Sequence, residues 1–190
     1  MATIVVLSGS PSNTSRTAAL TRYLAALLDE RGHDTRVVNI REDLPAEALI
    51  GADTGDPAIA DVVGAIHDAD GILVASAVYK AAYTGVLKLV LDLLPHMAFA
   101  GKVVLPLLTG AGEVHTLALD YALRPVLAAL GSYHVVPGLF VMDKDIERTA
   151  DGISLAERAD AAVRAAVDTF DTALTGVPTP AQGDQVPARA

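Results

Sequence analysis

Five times along this chain an apolar, β-rich run gives way to a segment with helical spacing. That alternation restricts the fold more than any other feature. The runs lie at residues 3–7, 35–39, 71–76, 102–108 and 133–142. Most lack strict alternation of apolar and polar residues, as strands covered on both faces do. The helical segments lie at residues 15–31, 57–68, 84–94, 113–130 and 154–174. In the first, Leu20, Leu24, Leu27 and Leu28 share one face. The last opens on Ser154 and Glu157, the spacing of a capping box. Leu155, Ala159, Val163, Ala166, Val167 and Phe170 then hold one side. Strand–helix alternation builds a parallel sheet with helices on both sides. The expectation is one α/β domain over residues 1–175, a doubly wound, five-stranded parallel sheet. From Gly176 the chain turns to Pro, Ala and Gln, which predicts a disordered tail over 176–190.

Composition narrows the function. The net charge of −9 disfavours nucleic acid and anionic membranes as partners. Mean hydropathy is high, at +0.40. The most apolar stretch, residues 85–110, is interrupted by Lys88, Asp92, Pro95, His96 and Lys102, so no membrane span of about 20 apolar residues fits. Its surplus apolar surface predicts subunit contacts, above all along Val86–Leu94, where Lys88 and Asp92 pair at i, i+4. The chain has no cysteine, which excludes disulfides and thiolate catalysis. His33, His67, His96 and His134 show no metal-ligand spacing, and His115 stands alone near a helix start. With no basic, apolar leader before the first strand, the expected location is the cytoplasm.

Open α/β sheets bind ligands beyond the carboxyl ends of their strands. Three loops leave those ends. The first, Gly9 to Thr17, carries six hydroxyl or amide side chains and Arg16. It lacks G-x-G-x-x-G, G-x-x-x-x-G-K-[ST] and G-x-S-x-G, so the dinucleotide, nucleotide-hydrolase and esterase signatures are absent. Helix capping accounts for one or two such residues. The full set, with the positive end of a helix dipole, suits a phosphate monoester. Ser10, Ser15, Arg16 and Thr17 are its candidate donors. In the second loop, 77–83, backbone amides and Tyr79 suit the edge and face of a flat ring; the alternative is that Tyr79 and Tyr83 pack in a subunit contact, which suits Tyr83 almost as well. Thr84 caps the next helix under either reading. The third, 109–113, is either a close approach to the ligand through glycine or a plain strand-to-helix turn.

The fourth helical segment contains Pro125, four residues after Tyr121. Proline leaves the Tyr121 carbonyl without its α-helical donor and crowds it. The strain, about 3 kcal/mol, is relieved by a π-bulge or a kink.

Together these blocks resemble the flavodoxin-like NAD(P)H-dependent FMN reductases, and among them the alkanesulfonate-system reductases of two-component flavin monooxygenases. The resemblance spans roughly residues 3–142. It rests on Gly9-Ser10-Pro11 with Ser15-Arg16, on Val78-Tyr79-Lys80-Ala81-Ala82-Tyr83, and on Asp120-Tyr121-Ala122-Leu123 with Pro125-Val126-Leu127. It implies strand order 2-1-3-4-5 and two small-molecule partners, FMN and NADPH or NADH. It implies Ser10, Ser15, Arg16 and Thr17 on the FMN phosphate, Val78, Tyr79 and Lys80 beside the isoalloxazine, and Thr109 and Gly110 opposite. It makes Tyr121 the inserted residue of a π-bulge at a tetramer interface, linked to the use of flavin as a passing substrate. Reduced FMN would leave for an FMNH2-dependent monooxygenase, and no side chain acts as acid or base. Ala77 stands where the family usually has proline, and Ala111-Gly112-Glu113 departs from its Gly-Gly start. The alternatives are a reductase with tightly held FMN acting on quinones, azo dyes or metal oxyanions, and an electron carrier. An arginine near the 2′-phosphate would separate NADPH from NADH, with Arg16, Arg41 and Arg124 as candidates.

Overall fold

A computed structural model describes residues 1–150 and 152–176. Strand β1 (Thr3–Gly9) leads into α1 (Arg16–Asp29) and β2 (Asp34–Asn39). Two short helices, α2 (Ile40–Asp43) and α3 (Ala46–Ile50), precede α4 (Pro57–Asp68). Then come β3 (Gly71–Tyr79), the two-residue β4 (Ala82–Tyr83), α5 (Gly85–Leu93) and β5 (Val103–Gly110). A 3₁₀ turn (Glu113–Thr116), a π-helical turn (Leu119–Leu123) and α6 (Arg124–Ala129) follow. Strands β6 (His134–Val135), β7 (Leu139–Met142), β8 (Ile146–Thr149) and β9 (Gly152–Leu155) lead to α7 (Glu157–Gly176).

The main sheet runs β2-β1-β3-β5-β6, with β7 also on β5 and β4 antiparallel on β3. Counted over the five expected strands, the order is 2-1-3-4-5. The last expected strand is split at Pro137-Gly138, because proline has no N–H for a ladder. Val136 N still donates to the Val104 carbonyl at 3.0 Å, which carries the pairing up to the break.

Every β1 position from Ile4 to Leu7 is buried because each face meets a different layer. Val5 and Leu7 pack with Ile72, Val74, Val104 and Leu108 under α4, α5 and α6. Ile4 and Val6 pack with Leu73, Leu105 and Leu107 under α1 and α7. On that second face Phe170 is fully buried. Its ring lies over the start of β3, where a Cβ on Gly71 would come within 2.9 Å of Phe170 Cζ. Polar contacts fix α7 against the first third of the chain. Tyr23 Oη donates to Asp160 Oδ1 at 2.7 Å, and His33 Nε2 lies 2.9 Å from Asp171 Oδ1.

The last helix departs from expectation at its start. Ser154 and Leu155 belong to β9, which pairs antiparallel with β8, placing Ser154 opposite Glu147 and Leu155 opposite Ile146. The Ser154–Glu157 capping box does not form, because the hairpin claims that backbone. Helix α7 opens instead with Asp160 N donating to the Ala156 carbonyl. Of the tail expected over 176–190, Gly176 is instead the last residue of α7, and residues 177–190 lie outside the described residues. Among the described residues, no helix is long and apolar enough to cross a membrane.

Candidate functional site

The three carboxyl-end loops are joined to one another. Ser15 is the N-cap of α1, its Oγ accepting from Ala18 N at 2.9 Å. Arg16 and Thr17 are the first two residues of that helix, so their amides have no intrahelical carbonyl to meet. Ser10 is buried, and its Oγ accepts from Ser12 N at 3.4 Å. Thr14 N donates to Ser12 Oγ. No carboxylate lies in the loop from Gly9 to Thr17. Hydroxyls, first-turn amides and one guanidinium form a donor set that fits a phosphate dianion.

Arg16 makes an unforeseen contact. Its Nε donates to the Ile146 carbonyl at 3.1 Å, holding the guanidinium to the start of β8. Its two terminal nitrogens have no partner among the described residues. Arg124 pairs with Asp120 at 3.1 Å, and Arg41 lies exposed in α2.

Thr17 and Thr109 share a buried hydroxyl–hydroxyl bond of 2.7 Å, which ties the first loop to the end of β5. Thr17→Val would leave the Thr109 hydroxyl buried without that partner. The expected loss is about 1–3 kcal/mol of unfolding free energy, measured by urea denaturation of flavin-free protein.

The second loop is held by side chains that sequence reasoning largely passed over. Ser76 Oγ accepts from Thr84 N at 2.9 Å, Thr84 Oγ1 accepts from Leu87 N, and the Gly9 carbonyl accepts from Thr84 Oγ1. One cap thus joins the ends of β1 and β3 to α5. The approach is close enough that a Cβ on Gly9 would sit 2.5 Å from Leu87 Cβ. Ser76 did carry a signal, as the one polar residue in the run Ile72 to Tyr79.

Lys80 and Ala81 have φ of 52° and 65°. They form the two-residue turn between β3 and β4, with Tyr79 opposite Ala82 and Val78 opposite Tyr83. Left-handed backbone costs about 1–2 kcal/mol at each non-glycine residue. Strain of this kind collects at functional sites. The hairpin leaves Tyr79 half exposed and Val78 buried. Ala77 keeps its ladder position opposite Thr109, so the turn does not depend on a proline there.

In the third loop Thr109 is buried and Gly110 faces His115. A Cβ at Gly110 would lie 2.9 Å from His115 Nδ1, itself buried with no hydrogen-bond partner among the described residues. Tyr121 lies in the π-helical turn and is 80% exposed, with Val114 and Leu117 exposed before it. Arg124 N donates to the Leu119 carbonyl, five residues back. Pro125 lies just inside α6, where a missing N–H is tolerated. The expected site residues therefore gather at one end of the sheet: Ser10 and Ser15–Thr17, Val78–Lys80, and Thr109–Gly110. Among the described residues, no cluster of three or more His, Asp or Glu could hold a metal.

This site occurs in a sequence whose residues 2–147 match the family model for NADPH-dependent FMN reductases. The chain belongs to that family. An FMN reductase (NADPH) of Pseudomonas putida is 38% identical over 180 residues, covering 93% of this chain and 90% of that protein. An FMN reductase (NADPH) of Escherichia coli is 43% identical over 145 residues, covering 75% and 74%. A solved NADH:FMN oxidoreductase in its apo form superposes with a TM-score of 0.84 at 38% identity, covering 94% of this chain and 92% of the other. Relatives of this FMN reductase thus carry both nicotinamide names.

Proposed function

We propose that this FMN reductase takes FMN as a passing substrate and hands the reduced flavin to a partner monooxygenase. Family membership makes it an NAD(P)H:FMN oxidoreductase, with FMN and a reduced nicotinamide as its small-molecule partners. When bound, the flavin supplies the hydride-accepting chemistry. The protein's share is binding and orientation. In this reading Ser10, Ser15, Arg16 and Thr17 hold the phosphate, Val78, Tyr79 and Lys80 flank one side of the ring, and Thr109 and Gly110 form the other. Placing two flat rings face to face and excluding water is the main catalytic task, and it needs no side-chain acid or base.

The observation that carries the passing-substrate reading is the π-helical turn with Tyr121 exposed on it. A π-turn inside a helix often marks a functional site. Val114, Leu117 and Tyr121 recur at helical spacing and are exposed, a pattern that suits a contact between copies in a tetramer. The cytoplasm, which supplies NAD(P)H, is the location this function fits.

Tyr121→Ala is expected to raise FMN retention through gel filtration and to lower steady-state NADPH oxidation when FMN is supplied. Unchanged retention and turnover would remove Tyr121 from flavin exchange. Protein that is yellow as purified, and that reduces quinones without added FMN, would replace this reading with that of a tight flavoprotein.

A further inference from the structure

A second cleft lies at the other end of the sheet. It opens between α4 and the segment 95–102, next to the amino ends of β3 and β5. The flavin loops leave the carboxyl ends of the same strands. Its volume is ≈ 810 Å³, within the range of about 300–1,000 Å³ usual for small-molecule sites. Ala60, Val63 and Gly64 form one wall, and Leu93, Pro95 and Met97 the other. Met97 holds a left-handed φ of 64°, a strained state for a non-glycine residue.

His67, His96 and Lys102 also line the cleft, and no carboxylate does so among the described residues. Lys102 Nζ donates to the carbonyls of His67 and Ala69, at 2.7 Å each. These bonds close the carboxyl end of α4 and leave the third ammonium hydrogen free. Burial pushes the Lys102 pKa below its ordinary value, against the pull of Asp70 and Asp68. Both acids are engaged elsewhere. Asp70 accepts from Thr3 N at 2.9 Å, and Asp68 lies 2.9 Å from His67 Nδ1. Lys102 joins no ion pair among the described residues. In a chain of net charge −9, an apolar cleft with a lysine and no acid is selective for one kind of ligand.

We propose that this cleft binds an apolar monocarboxylate, its tail between the two walls and its carboxylate on Lys102 Nζ. The test is calorimetric titration of the full chain with octanoate, with 1-octanol as the neutral counterpart. Octanoate is expected to bind saturably and octanol at least about tenfold more weakly, through loss of the charge-assisted bond. FMN should not compete. Gly64→Leu is the deciding variant. A Cβ there meets nothing within 4 Å, and leucine favours a helix interior over glycine, so the fold is kept while the cleft is filled. That variant should lose octanoate binding and keep NADPH oxidation with FMN. Lys102→Gln, its fold checked by melting, should weaken octanoate at least about tenfold and leave octanol unchanged. Absence of saturable octanoate binding, equal affinity for octanol, or retained binding in Gly64→Leu would each overturn the proposal. A change of sedimenting mass in Gly64→Leu would assign the cleft to a second copy of the chain and overturn it as well.

Discussion

FMN is expected to be used with a kcat/KM roughly 10²- to 10⁴-fold above that of riboflavin, which lacks only the phosphate. Two charge-assisted hydrogen bonds from the first loop, at about 1.5–3 kcal/mol each, correspond to that ratio at about 1.4 kcal/mol per factor of ten. Arg16→Ala should cut the ratio by about 10- to 100-fold and change riboflavin turnover little, because riboflavin has no charge there to lose. Ser15→Ala should lower the ratio less. It also removes the bond to Ala18 N, at about 0.5–2 kcal/mol of stability. Steady-state NADPH oxidation with each flavin measures all of this. A ratio unchanged in Arg16→Ala would remove Arg16 from the phosphate site and leave only its tie to Ile146.

Phe170→Ala is expected to lower the unfolding free energy by about 3–5 kcal/mol. The ring is fully buried among Ile4, Leu24, Val163 and Val167. Its neighbour on the sheet is Gly71, which has no side chain to move into the gap. The cavity therefore stays open, the condition under which such substitutions cost most. Urea denaturation reads the loss as a lower midpoint at unchanged slope. A loss below about 1 kcal/mol would mean that Leu174 or Val167 collapses into the space.

Much of this was legible beforehand. The parallel sheet followed from alternation and its strand order from resemblance. Pro125 marked a break in the helix, because a missing N–H is a local fact of one residue, and resemblance made that break a π-turn rather than a kink. The β8–β9 hairpin was hidden. Ile153 and Leu155 fit the periodicity of the helix that follows, and only pairing with Ile146 and Arg148 makes them a strand. The Lys80-Ala81 turn was equally hard to see, since such turns are usually announced by Asn-Gly or Asp-Gly. The bonds linking Gly9, Ser76 and Thr84 span up to 75 residues. Sequence spacing holds no trace of a contact that the sheet creates by placing β1 beside β3.

The position of α7 also has a consequence for how the chain is made. Strands β1, β2 and β3 leave the ribosome early, and one side of them is covered by α1. The rest of that side waits for Val163, Val167 and Phe170, which come roughly 90 residues after β3 ends. At cellular synthesis rates this is a delay on the order of ten seconds. Throughout it the start of β3, on which Phe170 packs, and the part of β5 that faces α7 have no lid. Nascent chains halted before residue 157 should therefore be held by chaperones, and release should follow the emergence of the last helix.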